Sequence, residues 1–379
     1  MNAWIDRQAA AIAERAEHEL RALVAISSPS GDVDGAEGCF ALAASLAPDR
    51  ARAERIPCST PANADDLLLR LEGEGAARLV LVGHVDTVVA HGAHRAMERD
   101  GDTWVGSGTV DMKGGDVLAL GVLRALEPLR AHYAEVALLL VCDEEWRTAP
   151  FAHVERFAGW DACLCFEGGE LTPDGDDAVI VRRKAAGTLR VTGHGRASHA
   201  GAAPDKGRNA LVALASAATH LAGLHDPAGP DRLTVVPTVM HAGEALNVVP
   251  ASGELLCDMR ADSLAAIEAA MASVPAEEAG AGLVAEPLRL WPGMDSHDAA
   301  TPVLERAGEL LGAPIAAHGR GGASDASHIA TTVACTVDGL GPRGGNAHHP
   351  DEYLTIESLR PRAAVALAVA AAALGVHPD

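Results

Sequence analysis

Three short apolar runs in the first half of this chain end abruptly in a histidine or an acidic residue. They are 78–83 before His84, 135–142 before Asp143, and 162–166 before Glu167. Runs of this length without polar alternation are typical of strands buried on both faces, as in parallel sheets. A segment with helical character, 113–129, follows the first run. This order predicts an α/β fold in which a mostly parallel sheet carries helices on both faces.

The residues that end these runs are potential metal ligands. Functional sites in parallel sheets lie beyond the carboxyl ends of the strands, where His84, the cluster 143–145 and Glu167 fall. Two further candidates are Asp111, before a glycine-rich helix start, and His348, in a His-His-Pro-Asp-Glu segment. Imidazole and carboxylate suit zinc, and the absence of nearby cysteine pairs argues against a structural zinc site. Together these positions predict a hydrolase with two divalent metal ions.

Each position taken alone has a simpler explanation. Asp111 could cap the helix that follows it, and the three adjacent acids at 143–145 could form a solvated turn. Adjacent carboxylates repel one another unless cations compensate them, however, and neighbouring side chains project in different directions. One glutamate could therefore bind a metal while its neighbour acts as a base. Asp86 faces the same side of an extended segment as His84, so it could orient the imidazole ring.

Charge and cysteine content bear on partners and location. The 379 residues include 30 basic and 52 acidic side chains, and the net charge of −22 argues against nucleic acid as a partner. Seven cysteines, an odd number placed mostly in apolar runs, are typical of free thiols in a reducing cytoplasm. The charged segment 6–21 predicts an amphipathic helix and not a signal peptide, and the run 363–376 is shorter than the ~20 residues that span a bilayer. We therefore expect a cytoplasmic protein without a membrane partner.

A long segment without ligand candidates interrupts the pattern. Between 182 and 291 strand-like and helical stretches follow a βαββα-type order, with almost no acid placed like a ligand. Ligand candidates occur before this segment and again after it. The sequence therefore predicts a catalytic domain formed by 1–181 and 292–379, with 182–291 inserted as a separate α+β domain.

Six short segments together resemble the motifs of the M20 metallopeptidases. They occur in family order at 83–87, 108–115, 143–145, 197–201, 247–250 and 347–353. The family includes glutamate carboxypeptidase, acetylornithine deacetylase and succinyl-diaminopimelate desuccinylase. Trp146 and Arg147 depart from the small residues that are usual in the family, and Gly168 stands where proline is common. These departures lie beside ligand positions without replacing one, so they bear on the substrate and not on hydrolysis.

The resemblance implies two metal ions, five ligands, a general base and one supporting acid. The ligands would be His84 and Glu167 for one ion, Glu145 and His348 for the other, and Asp111 as the bridge. Glu144 would be the general base, and Asp86 would support His84. Zinc is the expected metal, with cobalt and manganese as alternatives.

The resemblance also gives the insert a role. In the family this domain is a lid that commonly forms a homodimer. The histidine matching His199 reaches a neighbouring active site there and holds the developing oxyanion. We therefore expect a homodimer formed through the lid domain.

Substrate contacts follow from the same resemblance. Asn247 and Arg260 match lid positions associated with substrate binding, and a guanidinium suits bidentate binding of a carboxylate. An ordinary surface arginine is the simpler alternative for Arg260. The glycine-rich turn containing Gly321, Gly322 and Ser324 would contact the substrate carboxylate through its backbone amides.

The implied reaction is hydrolysis of an amide bond in a small substrate with a free carboxylate, either a peptide or an N-acyl amino acid. The favoured interpretation is an exopeptidase similar to glutamate carboxypeptidase. The main alternative is an N-acyl-amino-acid deacylase, and a metal-dependent deaminase is a further one. A non-catalytic binding protein on the same fold would be expected to lack the base or a ligand, whereas all of these residues are present.

Overall fold

The computed structural model describes residues 2–378. Within that range the chain forms eight α-helices and nineteen strands. The helices are α1 (Ala3–Val24), α2 (Val33–Leu46), α3 (Lys113–Leu126), α4 (Ala210–Ala222), α5 (Leu264–Ala272), α6 (His297–Leu311), α7 (Asp325–Ile329) and α8 (Leu359–Ala373). The strands are β1 (Arg52–Ile56), β2 (Asp66–Glu72), β3 (Ala77–His84), β4 (Glu98–Asp100), β5 (Thr103–Val105), β6 (Tyr133–Val141), β7 (Ala162–Cys165), β8 (Glu170–Leu171), β9 (Asp177–Arg183), β10 (Ala185–His194), β11 (Thr234–Ala242), β12 (Ser252–Ala261), β13 (Glu277–Glu278), β14 (Ala281–Trp291), β15 (Met294–Asp295), β16 (Ala316–Arg320), β17 (Thr336–Val337), β18 (Gly344–Gly345) and β19 (Tyr353–Thr355).

The chain divides into two compact units. The first contains the residues up to Arg182, the segment Asp295–Gly319 and the residues from Ser324 onward, and the second contains Arg183–Met294 and Arg320–Ala323. Within the second unit, the Lys184 amide donates to the carbonyl of Arg320 at 3.2 Å. This bond helps to join the segment Arg320–Ala323 to the second unit. The predicted insert 182–291 did not include that segment.

The largest sheet lies in the first unit and has the strand order β1-β2-β6-β3-β7-β17. Strands β6, β3, β7 and β17 run parallel. At one edge β2 pairs antiparallel with β6, and β1 pairs antiparallel with β2. Leu79 and Leu81 of β3 belong to the main hydrophobic core, while Val80 and Val82 are equally buried but lie outside that cluster. Since alternate residues of a strand face opposite sides, both faces of β3 are covered. The predicted mostly parallel α/β fold is confirmed.

The terminal helices complete the core of the first unit. Helix α1 packs against α8 and α3, and α3 packs in turn against β3 and β6. The Asn2 side chain caps α1 by accepting from the amide of Trp4 at 2.8 Å, and Ile5, Ile12 and Leu20 form its buried stripe. Helix α1 corresponds to the amphipathic helix predicted from the charged segment 6–21. In the described part of the chain, every helix is too short or too polar to cross a bilayer.

The carboxyl ends of three parallel strands meet at one edge of this sheet. Strand β3 ends at His84, which is in register with Val141 at the end of β6. Val82 of β3 is in register with Cys165 at the end of β7. The segments that follow β6 and β7 therefore begin beside His84, as predicted from the sequence.

A small antiparallel sheet of order β18-β19-β5-β4 brings two distant segments together. Tyr353 of β19 is in register with Val105 of β5. Asp111 follows β5 closely in sequence, and His348 precedes β19. This pairing was not predicted, and it explains how a ligand candidate near the end of the chain reaches one near residue 110.

The second unit is an antiparallel sheet with two helices packed on it. The strand order is β11-β12-β10-β14-β13, and α4 and α5 pack against this sheet. Leu189, Leu255 and Ile267 belong to its separate hydrophobic core. The predicted βαββα order omitted β14, which pairs with β10 along most of its length. Strand β11 forms one edge of the sheet.

Candidate active site

One group of potential metal ligands consists of His84, Asp111 and Glu167. A donor atom from each lies within 4.8 Å of the others. His84 Nε2 is 3.2 Å from Asp111 Oδ1 and 3.8 Å from Glu167 Oε1. The glycine-rich start of α3 allows this approach, because a Cβ on Gly115 would stand 1.9 Å from the carbonyl oxygen of Phe166. Only glycine lets this helix start lie so close to the segment that carries Glu167.

A second group shares Asp111 with the first. It contains Asp111, Glu145 and His348, again with one donor atom each inside 4.8 Å. His348 Nε2 is 3.1 Å from Asp111 Oδ2 and 3.0 Å from Glu145 Oε2. The two oxygens of Asp111 therefore face different histidines, the arrangement that a bridging carboxylate requires. His348 has a left-handed backbone with φ of 66°, a strained conformation that costs about 1–3 kcal/mol and clusters at functional sites.

The donor set of both groups fits divalent cations. Burial raises the pKa of Glu145, while hydrogen bonds to Asp111 and Glu145 raise the pKa of His348 to about 10. Protons on the imidazoles thus compensate the negative charge of the carboxylates. Bound divalent cations would compensate the same charge. Glu145 Oε1 is buried and has no hydrogen-bond partner among residues 2–378. Imidazole nitrogen and carboxylate oxygen suit zinc, cobalt or manganese.

Asp86 connects the two sides of this site. His84 Nδ1 is 3.4 Å from Asp86 Oδ1 and 3.1 Å from the Asp86 carbonyl oxygen. The same carboxylate accepts from the backbone amides of Glu144 at 3.2 Å and Glu145 at 3.1 Å, and from the hydroxyl of Ser30. Asp86 therefore fixes the orientation of one imidazole and the position of both glutamates.

Glu144 differs from its neighbour Glu145. It is buried, and it belongs to neither of the two ligand groups described above. Burial raises its pKa well above the ordinary value, and the charges of Asp325 and Glu167 act in the same direction. A carboxylate with a raised affinity for protons beside a ligand cluster has the character of a general base.

Asp143, the first of the three adjacent acids at 143–145, is bonded to residues outside the two ligand groups. Its carboxylate accepts from the amide of Thr60 at 2.9 Å and from Arg147 at 2.8 Å. Arg147 is fully buried and also donates to Asp325 at 3.0 Å, while its guanidinium lies 4.5 Å from the ring centre of Phe151. The unusual arginine is thus an internal counter-ion for two acids. Sequence reasoning did not find this role, because Asp325 is far away in the chain.

Glu352 is a second residue whose role in the site was not predicted from the sequence. It is buried, and it accepts from the backbone amides of Gly108 at 2.9 Å, Val110 at 2.8 Å and Asp111 at 3.0 Å. These bonds hold the turn that presents Asp111. The only sequence signal was its place four residues after His348.

Replacing Glu352 should weaken metal binding at both groups. In Glu352→Gln an amide group would face backbone amides that donate to the carboxylate, so the Asp111 turn would shift. Loss of such a supporting contact typically costs about 10- to 100-fold in metal affinity. Competition with a chromophoric chelator measures the metal affinity. Glu357→Gln, a substitution at an exposed glutamate, is the control. Unchanged affinities would show that the turn does not depend on Glu352.

The remaining sequence candidates lie mainly in the second unit. His199 is exposed, and its Nδ1 atom accepts from the amides of Gly201 at 3.2 Å and Ala202 at 3.1 Å. A neutral ring that accepts at Nδ1 carries its proton on Nε2, so His199 can donate a hydrogen bond outward. The Asn247 carbonyl accepts from the amide of Ala200 at 2.9 Å, which places Asn247 beside this turn.

Some of the residues proposed to bind the substrate carboxylate are already bonded within the protein, and others are open. The Arg260 guanidinium is paired with Asp258, with Nη2 3.1 Å from Oδ1, and is partly exposed. Gly321 has open space around its Cα, and the Gly322 carbonyl accepts from Arg183 at 2.7 Å. Ser324 lies in the first unit, where its hydroxyl is buried and donates to Asp338 at 2.6 Å. The Ser324 side chain is therefore occupied within the protein.

Comparison with known proteins agrees with the motif resemblance. The family model described as "Peptidase family M20/M25/M40" matches residues 80–372. Carboxypeptidase G2 of Pseudomonas sp. (strain RS-16) is 28% identical, and the match covers 90% of this chain and 85% of that protein. Succinyl-diaminopimelate desuccinylase of Stenotrophomonas maltophilia (strain R551-3) is 30% identical, covering 78% of this chain and 83% of that protein.

Solved structures show the same fold. Aminopeptidase PepT from Bacillus cereus superposes with a TM-score of 0.77 at 21% identity, covering 95% of this chain and 98% of that one. The YXEP protein of Bacillus subtilis, described as a dinuclear metal binding peptidase from the M20 family, gives a TM-score of 0.70 at 16% identity, covering 97% and 99%. With a family match over most of its length, this chain belongs to peptidase family M20/M25/M40.

Proposed function

We propose that this hydrolase uses two divalent metal ions, most simply zinc, to cleave an amide bond in a small substrate with a free carboxylate. The observation that carries the proposal is the position of Asp111, whose two oxygens face His84 and His348 in two separate ligand groups. Family membership supports hydrolysis. Cobalt and manganese fit the same donors.

The proposed ligands divide as the two groups do. His84 and Glu167 would hold one ion, Glu145 and His348 the other, and Asp111 both. When bound, the ions would polarise the substrate carbonyl and make water more acidic. Glu144 would take the proton of the attacking water and return it to the leaving amine. Asp86 would keep the His84 ring and both glutamates in place.

The second unit would supply substrate contacts. His199 can donate from Nε2 to an oxygen that gains negative charge, because its Nδ1 is already occupied by two amides. Asn247 lies beside it. Arg260 would bind the substrate carboxylate, and the backbone amides around Gly321 and Gly322 would form an anion nest. Ser324 could contribute only through its backbone, since its hydroxyl is bonded to Asp338.

Two substrate classes are compatible with this site. Similarity to carboxypeptidase G2 favours an exopeptidase of the glutamate carboxypeptidase type. Similarity to a succinyl-diaminopimelate desuccinylase favours an N-acyl-amino-acid deacylase. Both classes break the same bond type beside a free carboxylate.

A hydrolysis screen tests the proposed function. Dipeptides and N-acyl amino acids with free carboxylates are incubated with the metal-loaded protein, and the released amine is measured. We expect turnover of at least one compound and much slower turnover of its C-terminal amide. Glu144→Gln serves as the control for contaminating activity. No turnover above that control across both classes would contradict the proposal.

Replacing Arg260 should slow the hydrolysis of a substrate with a free carboxylate more than that of its neutral analogue. A charge-assisted hydrogen bond contributes about 1.5–3 kcal/mol, so Arg260→Ala should lower kcat/KM for the acid by about 10- to 100-fold. The corresponding amide or ester should be much less affected. Arg232→Ala is a matched control, since Arg232 is also paired with an aspartate, at 2.8 Å from Asp262. Equal losses on both substrates would count against this role.

We also propose a homodimer formed through the second unit. Strand β11 is an edge strand with exposed Val236 and Val239, and Leu211 and Val212 of α4 are exposed as well. Unpaired edge strands with apolar side chains favour association, and a two-fold dimer would pair the same surface twice. Val239→Lys should therefore yield monomers by light scattering. The control Val33→Lys, at an exposed valine of the first unit, should not; a dimer that persists in Val239→Lys would contradict this interface.

A reducing compartment such as the cytoplasm is the proposed location. In the described part of the chain no two of the seven cysteines form a disulfide, and six of them are buried. Such thiols persist where glutathione and thioredoxin keep cysteine reduced.

A further inference from the structure

A third group of potential ligands contains sulfur and lies outside the candidate active site. It consists of Cys58, Asp66 and Cys142, with one donor atom of each within 4.8 Å of the others. The two Sγ atoms are 4.0 Å apart. Two thiolates on one tetrahedral zinc stand about 3.8 Å apart, given bonds of about 2.3 Å. The sulfur spacing is therefore already close to that of a metal site.

The carboxylate of this group is held firmly. Asp66 begins β2 and is fully buried, and its Oδ1 accepts from the amide of Cys142 at 3.2 Å. Its Oδ2 lies 2.8 Å from Nε2 of His153, which is also buried. A carboxylate fixed by a strand amide and an imidazole has the outer support that metal ligands usually have. Asp66 and Cys142 belong to adjacent strands or follow them directly, so the frame is rigid.

The charge of the three ligands and the exposure of Cys58 both favour a bound cation. Two thiolates and a carboxylate would carry three negative charges. The buried Arg147 already pairs with Asp143 and Asp325, so it leaves these charges for a bound cation to offset. A divalent ion would offset two of the three. Cys58 is half-buried, so an ion could enter from its side. Two sulfur donors select a thiol-binding ion such as zinc over magnesium or calcium.

We propose that Cys58, Asp66 and Cys142 form a metal site of their own, for one thiol-binding divalent cation of the zinc class. His153 supports Asp66 in this site. The site is chemically distinct from the candidate active site, whose ligands are nitrogen and oxygen only. Cys142 directly precedes Asp143, so a bound ion would also restrain the start of the 143–145 turn.

Cobalt and cadmium titrations test this proposal, because a thiolate bound to either metal gives an ultraviolet charge-transfer band. The imidazole and carboxylate ligands of the candidate active site cannot give that band. We expect the reduced protein to develop it to saturation at one thiolate-bound ion per chain. Bound cadmium should also protect two thiols from alkylation. Cys58→Ser and Cys142→Ser should lose both signals, and Cys335→Ser should keep them.

Thermal unfolding provides a second measurement if the buried Cys142→Ser variant folds poorly. Cadmium should raise the Tm of Glu145→Gln, in which one active-site ligand is altered, by more than it raises the Tm of Glu145→Gln combined with Cys58→Ser. Three results would overturn the proposal. They are a metal-loaded protein without the band, a band that survives in both cysteine variants, and a reduced protein that forms a Cys58–Cys142 disulfide with peroxide but binds no cobalt or cadmium through sulfur.

Discussion

Glu144→Gln should retain both active-site metal ions and lose turnover by about 10²- to 10⁴-fold, the usual contribution of a general base. The amide has the size of the acid but cannot take a proton from water. Burial of Glu144 raises its pKa, the charges of Asp325 and Glu167 act in the same direction, and the raised pKa suits it to proton transfer. It belongs to neither ligand group, so metal affinity should not change.

Glu145→Gln is the matched comparison, because it changes the adjacent residue in the same way. Glu145 Oε2 lies 3.0 Å from His348 Nε2 in the second ligand group. This variant should lose affinity for one ion while keeping the other. Metal analysis by mass spectrometry and single-turnover kinetics separate the two effects. If both variants bind metal normally and remain active, the assignment of base and ligand is wrong.

His199→Ala should slow turnover by about 10²- to 10³-fold, the typical cost of removing one donor to an oxyanion. The two amides that donate to Nδ1 hold the ring and leave Nε2–H available. His199 is exposed, so its removal should affect neither the fold nor metal content. Equal Tm and metal content in the variant, with lower kcat, would support a role in transition-state stabilisation.

Mixing two inactive variants tests whether His199 acts across a dimer. If His199 acts on the partner's site, a heterodimer of His199→Ala and Glu144→Gln would contain one site with an intact base and an intact histidine. About half of the wild-type activity per dimer should return after subunit exchange, because a two-fold dimer has two equivalent sites. Exchange is monitored separately by mass spectrometry. If heterodimers form and activity does not reappear, His199 does not act on the partner's site.

The parts of the fold with a local signal were predictable. Strands β3, β6 and β7 are continuous apolar runs, and their ends are marked by a histidine or by acids, so both the elements and the ligand candidates could be read from sequence. Strand β14 was missed because it contains exposed Glu286 and an internal Pro287, which give no alternating pattern. It forms because β10 offers an adjacent edge. Such long-range pairing overrides local propensity.

The supporting residues of the site were less predictable than the ligand candidates. Glu352 bonds to the amide of Gly108, which lies 244 residues away in sequence. Arg147 looked like a departure from the family pattern, and its pairing with Asp325 becomes visible only in three dimensions. His84, Glu145 and Glu167 follow the ends of strands that the sequence reveals, whereas positioning contacts depend on tertiary packing.

The proposed reaction requires two metal ions, held by His84, Asp111, Glu145, Glu167 and His348. Activity should be measured against added zinc in apoprotein of Cys58→Ser, a variant chosen because it removes the proposed sulfur site. We expect the apoprotein to be inactive. Its hydrolysis of a carboxylate-bearing substrate should rise with added metal and reach a plateau at two equivalents per chain. Full activity without metal, or a plateau at one equivalent, would contradict it.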